Sequence, residues 1–273
     1  MNNIGICITP DPIFSHMFLL NDIERDLKAI SKAGFKSVEL SLRDVSDINW
    51  DKLNWNLDKY GLKLITIATG LMRKVDKITL MDSKKKDLAI ERIEKMMIVL
   101  NKTDCKDKHI ILGYIKGEIK KNKSTEQLKI LNNSICELID LAKEYQVELL
   151  LEIINHRDTN FLNTIDEGID YLSRFEGDRI KLAIDSYQMN IDESDPYKAI
   201  IDAKDYIGYV HLSEDNRAYP GLGNLDFTKI LCALKDINYK GYLMFECKTT
   251  ADKYLEILKS YKTILNLSKE LSC

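Results

Sequence analysis

Eight short apolar runs recur along the 273-residue chain, and they constrain its fold more than any other feature. They are NIGICIT (3–9), KSVELSL (36–42), KLITIAT (63–69), HIILGYI (109–115), ELLLEII (148–154), RIKLAID (179–185), IGYVHLS (207–213) and YLMFE (242–246). The runs are continuous rather than alternating, as expected of strands buried on both faces of a parallel sheet. Parallel neighbours need a crossover, usually a helix, and the segments between the runs read as helical. Residues 124–146 place apolar side chains at 128, 131, 135, 138 and 142, and residues 84–100 carry a similar stripe through Ala89, Ile93, Met96, Met97 and Leu100. Ser124 and Gln127 have the spacing of a capping box at the start of the first of these segments. Gly34, Gly61, Gly177 and Gly241 each stand shortly before a run, where a helix can end in the left-handed conformation that glycine adopts cheaply.

Eight strand–helix alternations predict an α/β fold, a (β/α)8 TIM barrel, whose usual size is about 250 residues. An open doubly wound sheet is the rival, weakened because no glycine-rich nucleotide fingerprint follows the first run. No linker, low-complexity tract or short repeat interrupts the rhythm, so a single domain over 1–273 is expected. The chain is 45% hydrophobic, enough for a full core, and its 40 basic against 43 acidic residues leave a net charge of -3. That balance announces no nucleic-acid surface, and no apolar stretch has the length of a membrane span. The N-terminus lacks a signal-peptide pattern. Six cysteines (7, 105, 136, 232, 247 and 273) are scattered without a C-x-x-C pair, which suits a reducing compartment and predicts a cytoplasmic protein.

In such a barrel the residues at the C-terminal ends of the strands face the active site. The last four runs end on Glu152, Asp185, His211 and Glu246. Taken singly, a carboxylate at a strand end also serves as the N-cap of the next helix, and a lone histidine is as well read as a structural residue. Four such residues on successive strands point instead to a bound cation, because three carboxylates buried together without one are costly. A mixed oxygen and nitrogen donor set suits Mn, Mg, Co or Zn.

The segment 148–247 resembles the xylose-isomerase-like TIM barrels, and among them the ketose 3-epimerases of the tagatose/psicose type. The resemblance rests on EIINHRDTNFLNT (152–164), DSYQMNIDE (185–193) and HLSEDNRAYPGLGNLDF (211–227). It implies one divalent metal, manganese first with Mg, Co or Zn as alternatives, held by Glu152, Asp185, His211 and Glu246. It implies that Glu152 and Glu246 also handle protons, one on each face of the substrate, and that Asp158, Gln188 and Arg217 bind substrate. The implied activity interconverts keto-sugars or related polyols through an enediolate. The implied partner is a small sugar, with no nucleic acid or membrane, and a homo-oligomer is compatible with it.

Two positions depart from the family pattern. Asp158 stands where the family has a glutamate and is one methylene shorter. Gln188 stands where the family has a histidine; it can donate a hydrogen bond but cannot shuttle a proton. A 1,2-isomerase fits almost as well as a 3-epimerase, and a dehydratase acting on an inosose-like substrate remains an alternative on the same scaffold. An abasic-site endonuclease is disfavoured by the supply of only four histidines and by the charge balance. Outside 148–247 the resemblance is carried by the barrel rhythm and by Glu39 in KSVELSL. Pro220, Gly221 and Gly223 read as a turn. His109 opens its run and is expected at the opposite barrel end, His16 at the loop surface, and His156 as a residue that orients its loop.

Overall fold

The computed structural model describes residues 3–175 and 179–271; Gly177 and Cys273 lie outside them. Each of the eight runs contains one strand: β1 (Ile4–Thr9), β2 (Ser37–Ser41), β3 (Lys63–Ala68), β4 (His109–Leu112), β5 (Glu148–Glu152), β6 (Ile180–Asp185), β7 (Ile207–Leu212) and β8 (Tyr242–Phe245). Every strand pairs in parallel with the next, and β1 pairs with β8 through Ile4–Leu243 and Ile6–Phe245, which closes a (β/α)8 TIM barrel. A two-residue strand, Phe18–Leu19, lies beside β1.

The two-sided burial that makes the runs continuous is visible residue by residue. In β1, Ile4, Ile6 and Ile8 join the larger apolar cluster between sheet and helices. Cys7 points the other way, into a second cluster with Ile65, Ile111, Leu150, Ala183 and Tyr209 that fills the barrel. Outside the sheet run α1 (Ile23–Ala33), α2 (Trp50–Tyr60), α3 (Gly70–Asp76), α4 (Lys86–Asn101), α5 (Ser124–Glu144), α6 (Ile165–Leu172), α7 (Ser186–Asp192), α8 (Pro196–Asp202), α9 (Phe227–Asp236) and α10 (Lys253–Glu270). The predicted stripe on α4 is buried throughout. On α5, Leu131, Ile135, Leu138 and Ala142 are buried, and Leu128 packs partly buried beside them. None of the described helices is long and apolar enough to cross a membrane.

Gly34 and Gly61 do cap α1 and α2 in the left-handed region, at φ 117° and 62°. Two local expectations are corrected. At the end of α9 the left-handed residue is Asn238 (φ 56°), not Gly241. Asparagine tolerates that conformation, and Gly241 instead makes room for Tyr239, whose hydroxyl would lie 2.3 Å from an added Cβ. Ser124 is already the first residue of α5, so it forms no capping box with Gln127. Gln127 turns back to the preceding loop: its Oε1 accepts from the Lys120 N–H at 2.7 Å and its Nε2 donates to the Glu118 carbonyl at 3.0 Å.

Candidate active site at the C-terminal rim

Glu152 ends β5, Asp185 ends β6, His211 sits one residue before the end of β7, and Glu246 follows β8. Parallel register puts Asp185 beside His211. All four are buried, and each offers a ligand-capable atom within 4.8 Å of the others. The pocket above them is roughly 370 Å³, including its open mouth, and is also lined by Phe14, His16, Gly113, Tyr114, Gln188 and Arg217. Gly113 is needed there, since a Cβ would lie 2.1 Å from Glu152 Oε2.

Asp185 serves as the N-cap of α7 and also stands at the rim beside Arg217. Its Oδ1 accepts from the Tyr187 N–H at 2.8 Å, capping α7, and from Ser213 Oγ at 3.2 Å. Its Oδ2 faces Arg217, whose Nη1 donates to it at 2.6 Å and to Glu246 Oε2 at 2.8 Å. The guanidinium lies over the Tyr187 ring, 4.1 Å from its centroid. Arg217 itself has φ 66°, a left-handed backbone that costs a non-glycine residue on the order of 1 kcal/mol. Its position is fixed by main-chain bonds, from its own N–H to the Glu214 carbonyl at 2.9 Å and from the Lys248 N–H to its carbonyl at 2.6 Å.

Gln188 is buried and its Oε1 accepts from both the main-chain N–H and the side-chain amide of Asn155. Because a main-chain N–H can only donate, the oxygen must face Asn155, and the NH₂ end is left for the pocket. Asp158 is exposed and is not part of the pocket lining; its Oδ2 accepts from Asn155 Nδ2 at 3.0 Å. Asn155, which the sequence reading passed over, therefore joins Asp158 to Gln188. His156 bonds to Asp192 through both its main chain and its ring, tying the β5 loop to α7.

His211 is oriented from behind. Its Nε2 bonds Glu39 Oε2 at 2.9 Å. Its Nδ1 has no hydrogen-bond partner among the described residues and lies 3.7 Å from Glu152 Oε1. Glu39 occupies the middle of β2 opposite Cys7, facing the barrel interior. A single carboxylate inside an otherwise apolar run was its signal in the sequence. Burial works against a charged imidazole, but Glu39, Cys7 and Glu246 together outweigh it and raise the His211 pKa. Burial pushes the Glu246 carboxyl up to about 8 despite the pull of His211 and Arg217. Burial also opposes ionisation of Glu152, yet His211, Lys116 and Arg217 together hold its carboxyl below the usual range.

Lys116 is fully buried and donates from Nζ to the main-chain carbonyl of Glu152 at 2.9 Å; burial brings its pKa down to about 8. His16 was expected at the surface and is instead in the pocket, its Nε2 3.9 Å from Glu246 Oε1 and its ring against Phe14 at 4.9 Å between centroids. Burial, with Arg217 nearby, lowers its pKa to about 3. The β1 loop folds inward over the rim, which is a tertiary event that local sequence does not encode.

This donor set fits a divalent cation. The buried Nδ1 of His211 has no other partner and faces carboxylates, and its second nitrogen is held by an acid, as in many metal-ligating histidines. Three buried carboxylates converge with it, where a cation would relieve their mutual repulsion.

A closed parallel barrel with buried acids and an imidazole at its C-terminal rim defines a class of enzyme before any relative is consulted. The chain belongs to the xylose isomerase-like TIM barrel family, whose profile it matches over residues 27–264. It is 31% identical over 233 residues to an L-ribulose 3-epimerase of Mesorhizobium japonicum, covering 83% of this chain and 75% of that one. It is 29% identical over 220 residues to an L-ribulose 3-epimerase of a Methylomonas species, covering 79% and 75%. A solved structure of an L-ribulose 3-epimerase matches with a TM-score of 0.79 at 25% identity, over 99% of this chain and 95% of that one. The chain is an enzyme of the isomerase class.

Proposed function

We propose that the chain is a divalent-metal-dependent ketose epimerase that inverts the carbon next to the carbonyl of a small keto-sugar. One observation carries this reading: Glu152, Asp185, His211 and Glu246 meet within 4.8 Å at the rim, in a chain whose relatives include ketose 3-epimerases. These four residues would hold the cation, manganese first, with Mg, Co or Zn as alternatives. When bound, it would supply Lewis-acid stabilisation of the negative charge that develops on the substrate oxygens.

The chain's own groups do the rest. Glu152 removes the proton from one face of the carbon, and Glu246 delivers a proton to the opposite face. The C–H bond that breaks and the one that forms involve the same carbon, so the step needs no oxidant or reductant. The unlike surroundings of the two acids suit this division, with Glu152 held towards the carboxylate and Glu246 towards the acid. Arg217 and the NH₂ end of Gln188 face the substrate oxygens. Asp158 acts at one remove, holding Asn155 against Gln188. Phe14, His16 and Tyr114 supply rings to the pocket wall. The five described cysteines are all unpaired, which supports a cytoplasmic setting.

The test is product identification by NMR after incubation in D₂O with free ketoses, phosphorylated ketoses and inososes, each with Mn, Mg, Co and Zn. The expected product is an epimeric ketose with deuterium at the inverted carbon. A product lacking the elements of water, or full retention of the original hydrogen over many turnovers, would overturn the proposal.

A further inference from the structure

The residue that the chemistry above does not use, and that stability alone does not explain, is Lys116. It lies in GYIKG (113–117), a single 3-10 turn over Tyr114–Lys116 bracketed by Gly113 and Gly117. The turn sends its three side chains to three places. Tyr114 lines the pocket, Ile115 enters the main core, and Lys116 is 0% exposed without lining the pocket at all. Among the described residues its ammonium makes no ion pair within 4.0 Å, and its hydrogen bond goes to the Glu152 carbonyl. Burying a cation without a paired anion is expensive, so a methionine of similar length would serve the core at least as well.

The place where this ammonium ends is informative. β4 stops at Leu112, opposite Leu151 of β5. Glu152 is one residue further along, beyond the last strand partner on that side. Lys116 Nζ supplies a donor there, 2.9 Å from the Glu152 carbonyl. Three residues earlier in the same turn, Gly113 leaves open the space that Glu152 Oε2 occupies. One five-residue segment therefore holds the main chain of Glu152 and clears room for its carboxylate.

We infer that Lys116 is a positioning residue for Glu152, fixing the end of β5 so that this carboxylate keeps its place while substrate enters and leaves. The inference rests on the reading of Glu152 as a proton-transfer group. It concerns a residue that would both hold the metal and carry a proton, so the expected signature is in Mn²⁺ affinity and kcat rather than in KM.

The experiment compares Lys116→Met, Lys116→Gln and Glu152→Gln with the parent as Mn-loaded full-length protein, measuring Tm, Mn²⁺ affinity by calorimetry, and kcat and KM separately. Lys116→Met should fold with a Tm equal to or above the parent. Its KM should stay within about 3-fold, while Mn²⁺ affinity falls and kcat at saturating Mn²⁺ falls at least ~30-fold, the pattern of a misplaced ligand and catalytic group. Lys116→Gln, which keeps a donor without the charge, should recover part of that kcat. Unchanged kcat in Lys116→Met, a loss confined to KM, or unfolding of both Lys116 variants would overturn the inference, the last by making Lys116 a fold residue. Glu152→Gln separates the two readings. If it remains active, the reading of Glu152 itself fails; if it is dead while Lys116→Met is fully active, the positioning role alone fails.

Discussion

The barrel interior holds a buried histidine towards each end, and burial acts on the two in opposite company. At the base, His109 opens β4 and packs against the rings of Tyr209 and Tyr242 at 5.4 and 6.0 Å between centroids, with Thr66 Oγ1 3.4 Å from its Nδ1. Burial lowers its pKa to about 4, so it is neutral at pH 7 and part of the packing. At the rim, His211 lies on the other side of Tyr209, 5.5 Å away between centroids. There Glu39, with Cys7 and Glu246, reverses the direction of the shift. The same residue type at similar depth packs among rings in one place and meets converging carboxylates in the other. Convergence of charge separates them; burial does not.

Replacing the rim acids should give the largest effect. Glu246→Gln keeps the shape and removes the proton-carrying group, so kcat should fall at least ~100-fold. Metal content measured alongside separates lost chemistry from lost metal. Next comes the contact behind His211. Glu39→Gln leaves a hydrogen-bonding group but no negative charge, and Mn²⁺ affinity measured by calorimetry should drop roughly 10- to 100-fold, as for other second partners of metal ligands. Full affinity in that variant would mean that the Glu39–His211 bond plays no part in metal binding, and the contrast with His109 would lose its basis.

Gln188→His tests the edge of the site. Metal affinity should be nearly unchanged, while the relative kcat/KM between two sugars shifts by about 1–3 kcal/mol, as for one altered polar contact. The smallest effect on rate belongs to the base. His109→Phe should leave kcat within about 3-fold, since a packing residue far from the reacting atoms is changed. It should, however, alter the pH dependence of stability. His109 binds a proton near pH 6.5 when unfolded and only near 4 when folded. Its contribution is therefore full above pH 6.5 and is lost as pH falls towards 4, by at most about 3 kcal/mol. Chemical denaturation at pH 7 and pH 4.5 should show a shallower loss in His109→Phe than in the parent.

The eight strands were legible because two-sided burial leaves no polar alternation to confuse them. The four rim residues were legible because strand ends fall at one end of the barrel, whatever the loops do. What escaped the sequence depends on where loops travel. His16 reads as a loop residue until the β1 loop is seen folded over Glu246. Asn155 has no pattern of its own, and its role appears only when Gln188 arrives from α7, the helix after the next strand. Lys116 carries no signal in GYIKG, and its place shows only when its side chain reaches the Glu152 carbonyl. Gln127 was misread for the opposite reason: a local motif matched, but the loop before α5 took the side chain. Asn238 replaced Gly241 because the helix ended earlier than the nearest glycine.

The bond between His211 and Glu39 joins residues 172 positions apart, across the seam where β1 pairs with β8. Glu246 reaches the rim on the strand that makes that seam. During synthesis three of the four rim residues are made before the strand that shuts the barrel, and in refolding neither the brace behind His211 nor the last acid takes its place until that strand docks. On the proposed reading, affinity for a divalent cation at this site would be a property of the closed ring. A cation that binds only that state adds its binding free energy to the stability of closure, so its uptake during refolding times the moment when the two ends of the chain meet.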